Sequence, residues 1–189
     1  MICKLSLWAV ETGLEDWSRC TSADTRLSLS FNLSVAQFVV RDHIEKLLKL
    51  FESSDIARRN LVTIEITESM RLSDNGEYVA ILKRFRNAGC KIAIDDFGSG
   101  YSWLSYLKRM PIDIIKIDKA FVRDITTDAA DAAMVRAILQ MAEAFGMQTV
   151  AEGVETKEQL AFLQHHGCNF AQGYLFGEPM PFSEFRQHT

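Results

Sequence analysis

Two adjacent aspartates, Asp95 and Asp96, follow four residues suited to a buried strand and run into a turn that contains Gly98 and Gly100. Apolar strand, paired acids, flexible loop: that order suits a metal or phosphate site at the carboxyl end of a strand. Other residues able to do chemistry fall at equivalent places, at the ends of other strand-like runs. They are Asn32, Glu65, Lys116, Glu152 and Gln172, with Glu68 and Glu155 just beyond Glu65 and Glu152. In a parallel barrel these ends point to one face, and several carboxylates, an amide oxygen and a lysine there form a ligand set for Mg2+ or Mn2+. No His or Cys stands at these strand ends, which argues against zinc. Crowded carboxylates repel one another and keep protons unless cations neutralise them. Two cations bridged by Asp95 would relieve that repulsion while activating a water and bracing the leaving oxygen of a phosphodiester. Lys116 would hold the water or offset phosphate charge.

Each of these residues also has a structural reading. An acid at a helix start caps the helix or favours its dipole. Lys116 can pair with Asp113 or Asp118, Asn32 can make an Asx turn, and Glu68 and Glu155 can support loops. Asp118, His43, His165 and His166 read as surface or structural residues. A common site is favoured because the candidates share one phase of the fold.

The elements that must hold them alternate. Helical spacing over 3–19 precedes a strand-like 26–32, and helical spacing returns over 35–51. A β-branched run at 61–67 follows. Asp74 and Glu77 resemble a capping box that opens a helix ending at Gly89. After the Asp95 strand come a short helix over 102–109, a strand at 113–118, a helix from about 129 to 145 and a strand at 148–151. A Thr156-x-x-Gln cap starts a helix to His166, 168–171 is the last strand, and 179–185 closes the chain. Gly89, Gly146 and Gly167 each end a helix and enter a strand, a weak internal repeat. Six strands alternating with helices predict right-handed β/α units and a parallel sheet. No GxGxxG or GxxxxGK[ST] follows the first strand. A TIM-like (β/α)8-type barrel is preferred to a doubly wound sheet because polar residues end nearly every strand.

Bulk properties agree with a soluble domain. The chain has 189 residues, 48% of them hydrophobic and 24% charged, and a formal net charge of -4. That charge provides no basic field for a nucleic-acid polymer. No apolar run reaches the roughly 20 residues that span a bilayer, so no membrane insertion is expected. Cys3, Cys20, Cys90 and Cys168 form no CxxC pair and read as reduced thiols, two of them packed at strand starts. A cytoplasmic location follows as the expectation.

The segments FNLSVAQF (31–38), IEITES (64–69), KIAIDDFGSGYSWLSYL (91–107), IDIIKIDKAFV (112–122), TVAEGVET (149–156) and QGYLFGEPMP (172–181) resemble the EAL domain family of bacterial cyclic di-GMP phosphodiesterases. They cover nearly the whole chain in the family's order. The resemblance implies a TIM-like barrel that hydrolyses cyclic di-GMP to linear pGpG with two Mg2+ or Mn2+ ions and is inhibited by Ca2+. By that resemblance Asn32, Glu65, Asp95 and Asp96 are metal ligands, Glu152 is a ligand or water-orienting base, and Lys116 lies near the catalytic water. Glu68 anchors the loop after Asp96, a loop tied in the family to dimerisation. Glu155 and Gln172 match further active-site or substrate-binding positions. The motif that names the family, Glu-Ala-Leu on an early strand, has no counterpart, since Leu14-Glu15-Asp16 lies within the first helix. The expectation is therefore an EAL-type domain over 1–189 that lacks roughly its first quarter, with six of the barrel's eight strands. A barrel short of two strands exposes sheet edges, which predicts association, as a homodimer or with a covering partner. The intact parent is expected to carry sensory or GGDEF-type domains. The missing glutamate leaves a second reading open, a cyclic di-GMP receptor without turnover.

Overall fold

The computed structural model describes residues 1–20, 27–58, 60–67, 76–98 and 107–185. The described residues form six strands, β1 (Leu29–Asn32), β2 (Val62–Thr67), β3 (Lys91–Phe97), β4 (Ile114–Ile117), β5 (Gln148–Ala151) and β6 (Phe170–Ala171), with helices between them except from β3 to β4, where the connection lies largely outside the described residues. Their order in the sheet is their order in the chain, and every described register is parallel. Parallel neighbours need long crossovers, which helices supply between β1 and β2, β2 and β3, β4 and β5, and β5 and β6. Val62 to Ile66 and all four residues of β4 are buried, as strands covered on both faces must be. Among the described residues no helix is long and apolar enough to cross a membrane.

The chain divides into two compact units. The first comprises 1–66, 70–92 and 179–189. Its core forms around Phe51, whose ring lies 6.0 Å from those of Phe31 and Phe85, with Ile44, Leu47 and Leu48 buried on the same helix. The helix Ile2–Cys20 matches the expected span. The helix expected over 35–51 is instead two, Val35–Phe38 and Arg41–Glu52. Ser34 and Gln37 close the first as a single capped turn, and Phe38 is pinned edge-on against Tyr78. The break falls at the exposed Val39 and Val40, β-branched residues of reduced helix propensity. The N-cap of the helix Glu77–Asn87 is Gly76, in the left-handed conformation. Asp74, the cap expected from the sequence, lies outside the described residues.

The second unit comprises 67–69 and 93–178. Ile114 to Ile117 pair in register with Gln148 to Ala151, and the helix Ala129–Ala144 buries Val135, Ile138, Leu139 and Ala142. Its N-cap is Asp128, which accepts from the Ala130 and Asp131 amides. Sequence reading missed the helix Lys119–Arg123, which Asp118 caps by accepting from the Ala120 amide at 2.9 Å. Helix Lys157–His165 carries the expected Thr156 and Gln159 capping box. The last strand is shorter than expected. Asn169 spends its side chain and amide on Thr149, at 2.8 to 3.1 Å, in place of ladder bonds. The expected helix over 102–109 falls largely outside the described residues. Gly89, Gly146 and Gly167 each follow a helix with positive φ, so the repeat read from the sequence is a series of left-handed helix ends. Cys90 is buried before β3, and burial pushes its thiol up to about 12.

Candidate active site

An uninterrupted strand points successive side chains to opposite faces, which would separate Asp95 from Asp96. The β3–β4 ladder pairs Ala93 with Ile114 and Ile94 with Ile115, then shifts so that Phe97 meets Ile117. The extra residue in β3 coincides with Asp96 at φ +54, a conformation that Asp tolerates better than most residues. Such a bulge re-aims side chains. Ligand atoms of Asp95, Asp96 and Glu152 consequently all lie within 4.8 Å of one another.

Lys116 enters this group from β4. It is 5% exposed, and its Nζ lies 2.7 Å from Asp95 Oδ1 and 2.7 Å from Glu152 Oε1. Gln172, at the end of β6, donates from Nε2 to the same Glu152 Oε1 at 2.8 Å. Glu152 is placed by its own backbone, whose amide continues the β4–β5 ladder onto Ile117 O at 3.1 Å. Burial raises the Asp96 carboxyl pKa, and the charges of Asp95 and Asp118 add to that. Lys116 and Lys119 oppose the rise. When ionised, three carboxylates against one ammonium leave two negative charges in the group. Hard oxygen donors with that residual charge fit a divalent cation.

The loops after β5 and β6 are zipped together. Val154 donates to Gln172 O and accepts from the Leu175 amide, both at 3.0 Å. Gly173 crosses that contact with φ +154, and a Cβ there would meet Val154 N and O at 2.3 Å. Only glycine fits.

The structure thus brings together Asp95, Asp96, Lys116, Glu152 and Gln172. In the first unit it sets Asn32 beside Glu65, register partners at the carboxyl ends of β1 and β2, with Glu65 7% exposed. Glu155 is exposed and not among the clustered carboxylates. Glu68 lies outside the described residues. Sequence reading did not anticipate the Gly173 crossing or the bulge at Asp96. The Gln172-Gly173 pair was a visible signal for the first, while nothing in the sequence marks the second.

The EAL domain family matches residues 1–179. The cyclic di-GMP phosphodiesterase NbdA of Pseudomonas aeruginosa is 34% identical over 188 residues, which are 99% of this chain and 24% of that protein. The solved EAL domain of Mycobacterium smegmatis DcpA is 36% identical with a TM-score of 0.86, over 97% of this chain and 83% of that one. The manganese and cyclic di-GMP complex of Klebsiella pneumoniae BlrP1 is 33% identical with a TM-score of 0.81, over 94% of this chain and 45% of that one. The chain spans about a quarter of the length of the curated relatives it matches, at 25%, 24% and 24% for three of them. The likeness to these structures makes the fold a TIM-like β/α barrel fold, with six strands among the described residues. With its family match covering residues 1–179, Asp95, Asp96 and Glu152 among them, the chain belongs to the EAL domain family.

Proposed function

We propose that this chain is a cyclic di-GMP phosphodiesterase unit, hydrolysing one phosphodiester to give linear pGpG with Mg2+ or Mn2+. The observation that carries the reading is the Asp95, Asp96 and Glu152 group gripped by Lys116 in a chain of this family. Asp95, Asp96 and Glu152 would hold a divalent cation, which would supply Lewis-acid charge to the phosphodiester and lower the pKa of a bound water. Asn32 and Glu65 are proposed as further ligands on the family's pattern. Lys116 holds Asp95 and Glu152 at a fixed separation and offers an ammonium to phosphate oxygen. Glu152 accepts the proton of the attacking water at its carboxylate, which Gln172 orients through Oε1. Glu155 and Glu68 are proposed to support substrate or the loop after Asp96. The manganese and cyclic di-GMP complex of the Klebsiella relative supports both cation and substrate. Cytoplasmic location, homodimer formation and fusion to sensory or GGDEF-type domains are part of the same reading.

Glu15 favours a second reading, binding of cyclic di-GMP without turnover. It is an exposed residue of the helix Ile2–Cys20, so the one Leu-Glu pair before β1 supplies no strand-end ligand. Incubation with cyclic di-GMP and Mn2+, followed by chromatography of the products, separates the two. Linear pGpG establishes the enzyme, saturable binding without product establishes the receptor, and absence of both overturns the function.

A further inference from the structure

Gln159 is a buried amide, 5% exposed, on the helix that follows the Glu152 loop. Its Oε1 accepts from the Glu155 amide at 2.8 Å and the Thr156 amide at 2.9 Å. Its Nε2 donates to Arg123 O at 3.0 Å, a carbonyl at the end of the helix Lys119–Arg123 that has no onward helical partner. A capping box needs only the Thr156 amide contact, beside the Gln159 amide bond to Thr156 Oγ1. The bond to Arg123 O ties the cap to another element, and that element begins directly after β4.

These bonds close a ring through the site. From Lys116 the chain passes through the Asp118 cap and the helix Lys119–Arg123 to Arg123 O. Gln159 joins that carbonyl to the amides of 155 and 156, and the loop leads back to Glu152. The Lys116 to Glu152 ion pair at 2.7 Å completes it. The loop and helix are already in close approach, since a Cβ on Gly153 would lie 2.7 Å from Lys119 Cβ.

We propose that Gln159 is a positioning residue that holds the Glu152 carboxylate against Lys116 through its bond to Arg123 O. This rests on the cation-site reading given above. Outer partners of ligating side chains change metal affinity by about 10- to 100-fold when lost. Gln159→Glu is the informative variant. Ionised at pH 8, it still accepts from both amides and keeps the helix cap, but it cannot donate to Arg123 O. Its added negative charge favours cation binding, so weaker binding in this variant cannot be a charge effect.

The experiment measures Mn2+ affinity of the full chain by calorimetry, and amide exchange of the metal-free protein at Glu152 and Val154. Gln159→Glu is expected to weaken Mn2+ by about tenfold and to speed exchange at both amides. Thr156→Ala removes the other half of the cap, and is expected to lower Tm with Mn2+ affinity unchanged. Unchanged affinity and exchange in Gln159→Glu overturn the proposal. So does an equal loss of affinity in Thr156→Ala, which would mark a general loss of helix stability. If Gln159→Glu does not fold, Gln159→Met decides by the same two readouts. If the parent chain binds no Mn2+, the cation reading falls, and the exchange rates alone still decide whether Gln159 holds Glu152.

Discussion

Lys116 shows how a side chain can be visible as a candidate in a sequence while its partners stay open. Its position at a strand end marked it as a site residue, with pairing to Asp113 or Asp118 as the local alternative. The fold gives it Asp95 and Glu152, each at 2.7 Å, because register across β3, β4 and β5 governs which side chains meet. Removing the cation leaves two carboxylates facing each other in a largely desolvated place. Lys116→Met is therefore expected to destabilise the metal-free protein by ~3 kcal/mol, read from urea unfolding. Saturating Mn2+ should narrow that deficit, since a ligand bound only by the folded state stabilises it. Asp95→Asn removes a charge and a ligand oxygen together. It is expected to abolish pGpG formation and to leave the circular dichroism spectrum unchanged. Turnover retained in that variant would argue against Asp95 as a cation ligand.

Elements differ in how far their own residues determine them. The helix Lys157–His165 was legible because Thr156 and Gln159 form a local capping box. The two helices within 35–51 read as one helical run, because apolar residues keep a helical period across Val39 and Val40, while the Phe38 to Tyr78 contact that pins the first turn is distant in sequence. The same turn hides a titrating group. Ser34 donates to Gln37 Oε1 from both its amide and hydroxyl, so Gln37 presents its Nε2 to His43 Nε2 at 3.2 Å. His43 Nε2 must then accept, and its Nδ1 has no partner among the described residues. Burial lowers the His43 pKa from 6.5, and Lys46 lowers it further. A folded pKa below the unfolded one means that this contribution to stability is complete above pH 6.5 and is lost as pH falls through the folded value. Urea midpoints are expected to drop below about pH 6.5, with His43→Leu flattening that part of the profile. At the β5–β6 loops, Gly173→Ala drives a Cβ into the Val154 backbone. An expected loss of about 3 kcal/mol should come with faster amide exchange at Val154 and Leu175. Unchanged exchange there would mean that the two loops are not held by this crossing.

For the whole molecule, apolar surface is the telling quantity. Phe170, Tyr174 and Phe176 are 53%, 64% and 57% exposed, around a strand that pairs only with β5 among the described residues. Clustered exposed aromatics beside an unpaired edge favour association. Sedimentation is expected to show mass rising with protein concentration, and Phe176→Ser to reduce it. A mass independent of concentration would remove the case for association. The sequence alone determined the class of fold and the candidate chemistry. Strand and helix periods are local, and the candidate acids stand where strands end. It determined the family too, because those acids sit in long contiguous motifs. Only the tertiary structure decided which acids share a site. The bulge that turns Asp96 toward Asp95 and Glu152 arises from a register shift between two strands. So do the pairing of Lys116 and the crossing at Gly173 depend on segments brought together by folding. Local sequence encodes backbone preference, whereas inter-strand register is settled by burial summed over the whole sheet.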